Sequence, residues 1–170
     1  MKSLTAGHDP ILDFDGTVTR LEVDWDDLRR KLGVHKIDDL WVSANDHAWA
    51  AVTAAEVAAA GRAVPMPAVS NLLTATDRFA ILTSNSAEAV DAFFDRYPEL
   101  QARVAVVIGR EALGGPKTDF DVFERGFRAC LATLGTDHTT YIGDRPYELE
   151  FARRLGAEAV DVASLEASDS

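Results

Sequence analysis

The chain has 170 residues, enough for one domain with a complete core, and 47% of them are hydrophobic, as in ordinary globular proteins. Its formal net charge of −11 argues against nucleic acid or an anionic membrane surface as the main partner. A single cysteine excludes an internal disulfide, and no apolar run approaches the ~20 residues of a membrane span. We therefore expect a cytoplasmic protein with no nucleic-acid or membrane partner.

The first third of the chain combines one short strand with a long helical stretch. The apolar pattern predicts a strand over residues 11–15. Residues 24–61 are predicted to be helical in two or three pieces, with breaks at Gly33 and at residues 38–39. Asp24 and Asp38 are the alternative N-caps, because their side chains can accept hydrogen bonds from the first free backbone N–H groups.

Further strands and helices alternate along the rest of the chain. The predicted strands are residues 79–82, 104–108, 140–142 and 159–162, and the predicted helices are residues 68–75, 87–96, 120–134 and 147–155. This alternation predicts an α/β fold with a doubly wound, mostly parallel, Rossmann-like sheet, and residues after 162 are expected to be loose. Ligands bind at the carboxyl ends of the strands in such sheets. Polar residues follow three of the strands, at 13–15, 83–85 and 143–144.

The sharpest motif of the sequence is Asp-Phe-Asp-Gly-Thr-Val-Thr, residues 13–19. Alternation along a strand places the Asp13 and Asp15 carboxylates on the same side, where each raises the pKa of the other unless a cation is present. Such a pair binds a hard dication, or divides into one ionised and one protonated group. Gly16 permits a tight turn and lets an anion approach the backbone. The alternative is an ordinary Asp-Gly turn with two exposed acids.

Residues 13–19 resemble the complete first motif of the haloacid dehalogenase (HAD) superfamily, Asp-x-Asp-Gly-Thr-x-Thr. The resemblance implies that Asp13 is a nucleophile and that Asp15 is a general acid and base. It also implies a Mg²⁺ ion held by the Asp13 carboxylate and by the main-chain carbonyl of Asp15.

Residues 81–86 form a predicted strand that ends in hydroxyl groups, which is similar to the second motif of this family. The resemblance implies that Ser84 supplies the hydroxyl that binds phosphate, with Thr83 as its competitor and the Asn85 backbone N–H beside it. The alternative is that these hydroxyls cap the next helix, for which Ser86 is the best candidate.

Lys117 and Asp144 lie in segments that resemble the third and fourth motifs. By this resemblance Lys117 neutralises a phosphoryl oxygen and the Asp13 carboxylate, although the proline that usually follows the lysine is missing. Asp144 is implied to be the side-chain metal ligand. Glu148 stands where the family often has a second aspartate and is a candidate outer-shell ligand through water, with Glu150 as its competitor.

The segment 21–65 lies where many members of this family insert a helical cap. We therefore expect a core domain made of residues 1–20 and 66–170, with residues 21–65 as a small helical cap. His47 is not expected to act as a second base. The cap contains three tryptophans, for which we favour a role in packing the cap over a role in contacting substrate: Trp25, Trp41 and Trp49.

The resemblance implies a Mg²⁺-dependent phosphohydrolase that acts on a small phosphorylated metabolite through an aspartyl-phosphate on Asp13. Gly16, Ser84, Asn85 and Lys117 would then bind the phosphate. A phosphomutase or phosphotransferase on the same core is an alternative, and a non-catalytic phosphate-binding accessory protein is a second one. Dehalogenation is disfavoured, because the dehalogenases of this family lack the aspartate that Asp15 provides.

Overall fold

The computed structural model describes residues 9–43 and 45–166 and shows one parallel β-sheet. Its strands are Ile11–Leu12 (β1), Phe79–Leu82 (β2), Val104–Ile108 (β3), Thr140–Gly143 (β4) and Glu158–Asp161 (β5). The order across the sheet is β3-β2-β1-β4-β5, and each neighbouring pair is parallel. This confirms the predicted α/β sheet and places β1 at its centre.

Helices cover both faces of the sheet. Their bounds are Trp25–Leu32 (α1), Leu40–Ser43 (α2), Asp46–Ala60 (α3), Pro67–Ala75 (α4), Ala87–Phe94 (α5), Pro98–Gln101 (α6), Arg110–Leu113 (α7), Phe120–Leu134 (α8), Pro146–Arg154 (α9) and Val162–Glu166 (α10), with a 3₁₀ turn at Ile37–Asp39. In the part of the chain that the structure describes, no helix has the length and apolar composition needed to cross a bilayer.

Two apolar clusters, one on each face of the sheet, hold the strands in place. On the central strand, Leu12 packs into one cluster with residues of α4 and α5, whereas Ile11 packs into the other with residues of α8 and α9. Strands buried on both faces need continuous apolar runs, and this explains why the positions of the strands could be predicted from the sequence. The sheet is thereby a rigid support for the loops at its carboxyl edge.

The helical segment before α4 has a small apolar cluster of its own. Leu40, Ala48 and Val52 are buried there, and side chains of α1 pack against them. The last turns of α3 belong to the main core instead, because Ala59 and Ala60 pack with the residues of the sheet. Helix α3 therefore joins both clusters, and the division at residues 21–65 stays a prediction.

Several local features differ from the sequence-based expectations. Strand β1 ends at Leu12 and not at residue 15, because the chain turns at once and Val18 N donates to Phe14 O over 2.9 Å. Asp24 caps α1 as predicted, whereas Asp38 lies inside the 3₁₀ turn and caps no helix. The sequence analysis missed the four-residue helices α6 and α7. Helix α10 occupies part of the tail that was expected to be loose, and the rest of that tail, 167–170, lies outside the described residues.

Candidate active site

Asp13 and Asp15 follow the central strand and are fixed by the backbone of its neighbours. The N–H of Asp13 donates to Ile142 O of β4 over 2.9 Å, which prolongs the sheet by one contact. Asp13 is 5% exposed. An Asp15 carboxylate oxygen accepts a 2.7 Å hydrogen bond from the Leu21 N–H, so the turn at residues 13–19 sets the orientation of this side chain.

Lys117 lies beside Asp13 and is almost completely buried, at 2% exposure. Its ammonium group donates to an Asp13 carboxylate oxygen, to Leu82 O over 3.0 Å and to Glu148 Oε1 over 2.9 Å. An ammonium has three protons, so each has an acceptor. Tyr141 and Tyr147 fix Glu148 in turn, through hydroxyl hydrogen bonds of 2.6 and 3.0 Å.

The site holds more carboxylates than cations, and this shifts the pKa values of its groups. Burial raises the pKa of Asp13 to about 7, and the nearby Glu148 carboxylate adds to the effect while Lys117 opposes it. Burial also raises the pKa of Asp15, against the hydrogen bond from the Leu21 N–H. Burial disfavours the ammonium of Lys117, but the carboxylates of Asp13 and Glu148 outweigh it and raise the pKa of this group. One further cation at this place would relieve the repulsion.

The loop after β2 is locked by its own side chains. The Thr83 hydroxyl is buried, donates to Asn85 Oδ1 over 2.9 Å and accepts from Asn85 N over 3.1 Å. Ser84 is exposed at the cavity. Ser86 accepts from Ala89 N and caps α5, as expected for the capping alternative. Both candidates for the phosphate-binding hydroxyl, Thr83 and Ser84, thus line the same space.

A second buried ion pair joins α3 to this loop, and the sequence analysis did not find it. Arg110 donates to both carboxylate oxygens of Glu56, over 2.9 and 3.1 Å. The same carboxylate accepts from Asn85 Nδ2 and from Ser86 N, each over 3.0 Å. Glu56 is the single charged residue between Ala48 and Ala60, an isolated charge that could have drawn attention to it in the sequence.

The residues around Asp144 fit a hard cation. Asp144 Oδ1 is buried and has no hydrogen-bond partner among the described residues. A side chain at Gly16 would place its Cβ 2.6 Å from Asp144 Oδ2, so only glycine leaves room for this carboxylate against the turn at residues 13–19. No group of three His, Cys, Asp or Glu side chains in the described chain forms a metal cluster. The implied site needs only two such side chains, Asp13 and Asp144, together with the Asp15 carbonyl.

A cavity of about 320 Å³ opens at these strand ends. One side of it carries the charged and polar groups that follow the strands, namely Asp13, Asp15, Thr83, Ser84, Asn85, Lys117 and Glu148. The helical segment contributes four apolar side chains to the cavity, namely Trp25, Ile37, Trp41 and Trp49, and two acidic ones, Asp38 and Glu56. The cavity therefore combines polar groups that can hold an anion with a largely aromatic wall.

No family model matches the sequence, and no curated protein matches it either. Solved structures do match. CbbY from Rhodobacter sphaeroides, in complex with phosphate, is 16% identical with a TM-score of 0.64, and the match covers 91% of this chain and 86% of that one. A dehalogenase is 14% identical with a TM-score of 0.61, and the match covers 93% of this chain and 86% of that one. A HAD phosphatase from Thermococcus onnurineus is 17% identical with a TM-score of 0.56, and the match covers 90% of this chain and 85% of that one. This chain therefore shares the fold of these proteins.

In this fold the residues singled out from the sequence fall around one edge of the sheet. Asp13, Asp15, Ser84, Asn85 and Lys117 all line the cavity. Gly16 and Asp144 contact each other beside it. The two remaining acidic candidates differ, because Glu148 is buried against Lys117, whereas Glu150 is exposed and is not among the lining residues. His47 is also exposed and away from the lining.

Proposed function

We propose that the protein is a Mg²⁺-dependent phosphohydrolase that acts on a small phosphorylated metabolite through an aspartyl-phosphate on Asp13. The observation that carries this proposal is the buried contact between Lys117 and Asp13 at a cavity that Asp15 also lines. Such an arrangement offers a nucleophile, a fixed positive charge and a second carboxyl group to one small anion. The phosphate in the CbbY structure and the phosphatase from Thermococcus onnurineus support the same class of substrate.

Asp13 and Asp15 divide the work of the two chemical steps. An Asp13 oxygen attacks phosphorus, the bond from phosphorus to the leaving oxygen breaks, and Asp15 donates a proton to that oxygen. Asp15 then removes a proton from water, whose oxygen attacks the aspartyl-phosphate and releases inorganic phosphate. The raised pKa of Asp15, caused by burial, favours the protonated carboxyl group that the first step requires.

Lys117 and the loop after β2 orient the transferred group. The Lys117 ammonium, fixed by Glu148 and Leu82 O, offers positive charge to a phosphoryl oxygen next to Asp13. The exposed Ser84 hydroxyl supplies a further donor at the cavity. The Thr83 hydroxyl and the Asn85 N–H also border the cavity, but they would have to exchange their present hydrogen bonds with each other's residue to bind phosphate. The Lys117 ammonium is held before substrate arrives, so this group needs little reorganisation during the reaction.

Mg²⁺ would be held by Asp13, Asp144 and the Asp15 carbonyl, and it would supply Lewis-acid stabilisation of the phosphoryl oxygens. The unpaired Asp144 oxygen and the excess of carboxylates are the features that support this choice. Oxygen ligands alone favour a hard ion such as Mg²⁺ over Zn²⁺.

Hydrolysis of p-nitrophenyl phosphate by the purified chain tests the proposal. We expect turnover that disappears with excess chelator and returns with Mg²⁺. Asp91→Asn is a suitable control, because Asp91 is an exposed residue of α5 away from the cavity, and it should keep parental turnover. Full turnover in excess chelator, or recovery with Zn²⁺ alone, would contradict the proposal.

A further inference from the structure

The apolar wall of the cavity is built by three tryptophans from three different helices. Trp25 comes from α1, Trp41 from α2 and Trp49 from α3, and each is partly exposed where it lines the cavity. We refer to these three residues as the tryptophan wall. The wall lies in the same cavity as Asp13, so a molecule bound there can contact both at once.

Packing alone does not account for this wall. Trp25 and Trp49 pack against the small cluster of Leu40, Ala48 and Val52, as expected for a helical cap. Trp41 instead contacts Trp49, with the ring centroids 4.8 Å apart and the planes 55° apart. All three nevertheless expose part of the indole ring to the cavity. Apolar ring surface in contact with water is unfavourable, so a ligand that covers it gains free energy.

Trp49 is held in place from one side by a charged group that is itself fixed. The Arg110 guanidinium lies 4.6 Å from the Trp49 ring centroid. Arg110 cannot swing away easily, since Glu56 binds it through two hydrogen bonds and Thr53 Oγ1 accepts a third over 2.7 Å. A ring surface that is fixed before binding loses little entropy when a ligand packs on it.

We propose that the substrate is a phosphomonoester whose leaving group carries a single flat apolar ring, which packs on the tryptophan wall. The inference rests on the proposed function for the phosphoryl end of the molecule. Aromatic rings prefer tilted or offset contacts with other aromatic rings, and the wall offers several indole surfaces for them. A cavity of about 320 Å³ is at the small end of ligand sites, which favours one ring over a larger group.

The test compares benzyl phosphate with cyclohexylmethyl phosphate in the presence of Mg²⁺. Both leaving groups are primary alkoxides, so the chemical step is matched, and the two esters differ in whether the ring is flat. We expect kcat/KM to be about 2- to 10-fold higher for benzyl phosphate, the contribution of roughly one good aromatic contact. Acetyl phosphate, which carries no ring, reports whether the chain hydrolyses phosphoryl compounds at all.

Trp41→Leu should reduce the preference for the flat ring, because it removes an indole without removing apolar volume altogether. The control is Val42→Ala on the same helix, since Val42 is 91% exposed and does not line the cavity. This variant should keep the parental ratio between the two esters. An unchanged ratio in a folded Trp41→Leu protein overturns the role of Trp41 in the wall.

Binding to the parental chain gives a readout that needs neither turnover nor a variant. Titration calorimetry with 2-phenylethylphosphonate and 2-cyclohexylethylphosphonate, which do not hydrolyse, should show the same preference. Preferential binding without hydrolysis of any ester supports the wall and overturns the proposed phosphohydrolase. If the chain hydrolyses acetyl phosphate but shows equal kcat/KM for the two esters, the proposed role of the tryptophan wall is overturned and the proposed phosphohydrolase stands. Absence of both binding and hydrolysis overturns both.

Discussion

Two buried ion pairs flank the cavity, and they differ in how completely their charges are satisfied. Glu56 receives hydrogen bonds from Arg110, Asn85 and Ser86, so a single carboxylate has donors on both oxygens. On the other side, Lys117 faces more than one carboxylate, and the pKa of Asp13 is raised to about 7 by burial and by Glu148. The first pair has no need of another ligand, whereas the second would be stabilised by an additional cation.

Under the proposed function, this difference separates a structural pair from a reactive one. A buried charge that has all its partners contributes order, while a group of like charges stores repulsion that a bound ion can relieve. We expect substitutions in the Glu56 pair to reduce stability first, and substitutions around Asp13 to reduce activity first.

Asp13→Asn should lower turnover of p-nitrophenyl phosphate by about 10⁴ or more, because an amide is a very poor nucleophile. The free energy of unfolding should change little or rise, since the repulsion from Glu148 and Asp144 disappears. Turnover assays and urea unfolding measure the two effects. A folded variant with near-parental turnover would remove the covalent mechanism.

Asp15→Asn should produce a defect that depends on the leaving group. Loss of a general acid costs about 10²–10⁴ for a strongly basic alkoxide, as in an alkyl phosphate. An activated aryl phosphate should keep a nearly normal first step, with a burst of product as the phospho-enzyme accumulates. Rates over a graded series of esters provide the measurement, and equal losses without a burst would limit Asp15 to a structural role.

Glu56→Ala should lower the free energy of unfolding by about 3–5 kcal/mol, because Arg110 is left buried without its partner. The double variant Glu56→Leu with Arg110→Met should recover much of this loss, since no buried charge remains. Urea unfolding of the single and double variants checks the prediction. A loss below about 1 kcal/mol in Glu56→Ala would show that the pair is not structural.

Ser84→Ala and Thr83→Val should distinguish the two candidate hydroxyls. Removing a hydrogen bond to a charged phosphoryl group costs about 1.5–3 kcal/mol, which is roughly 10–100-fold in kcat/KM. Thr83→Val should also lower stability, because the Thr83 hydroxyl holds Asn85. Comparing kcat/KM with unfolding for both variants identifies the hydroxyl that binds phosphate, and two variants with parental kcat/KM would exclude both.

The sequence was informative where long apolar runs and local motifs decide the structure. Strands β2 and β3 and helix α8 have the predicted bounds, because each is a continuous pattern bordered by clear capping or turn residues. Asp13, Ser84 and Lys117 were found from short motifs and lie around one cavity. Four-residue helices such as α6 and α7 have too little periodicity to be recognised.

Contacts between distant parts of the chain were not readable in the same way. Glu56 and Arg110 are 54 positions apart, and nothing in the local pattern of either residue names the other as its partner. The role of Glu148 was also predicted only in part. Its bonds to Lys117 and Tyr141 depend on how α9 packs against the strand ends, which the sequence does not show. Such pairings follow from the tertiary arrangement, which a single sequence does not specify.

The central position of β1 has a consequence for the newly synthesised chain. Strand β1 precedes the other four strands in the chain, whereas its neighbour β4 is synthesised only after β2 and β3. Until then β1 has no neighbouring strand on the β4 side, and the Asp13 N–H lacks its acceptor, the Ile142 carbonyl. Contacts between such distant segments close slowly, so an incomplete chain has exposed apolar strands and no assembled site. A chaperone that binds extended apolar segments would therefore meet this protein before the site around Asp13 is assembled.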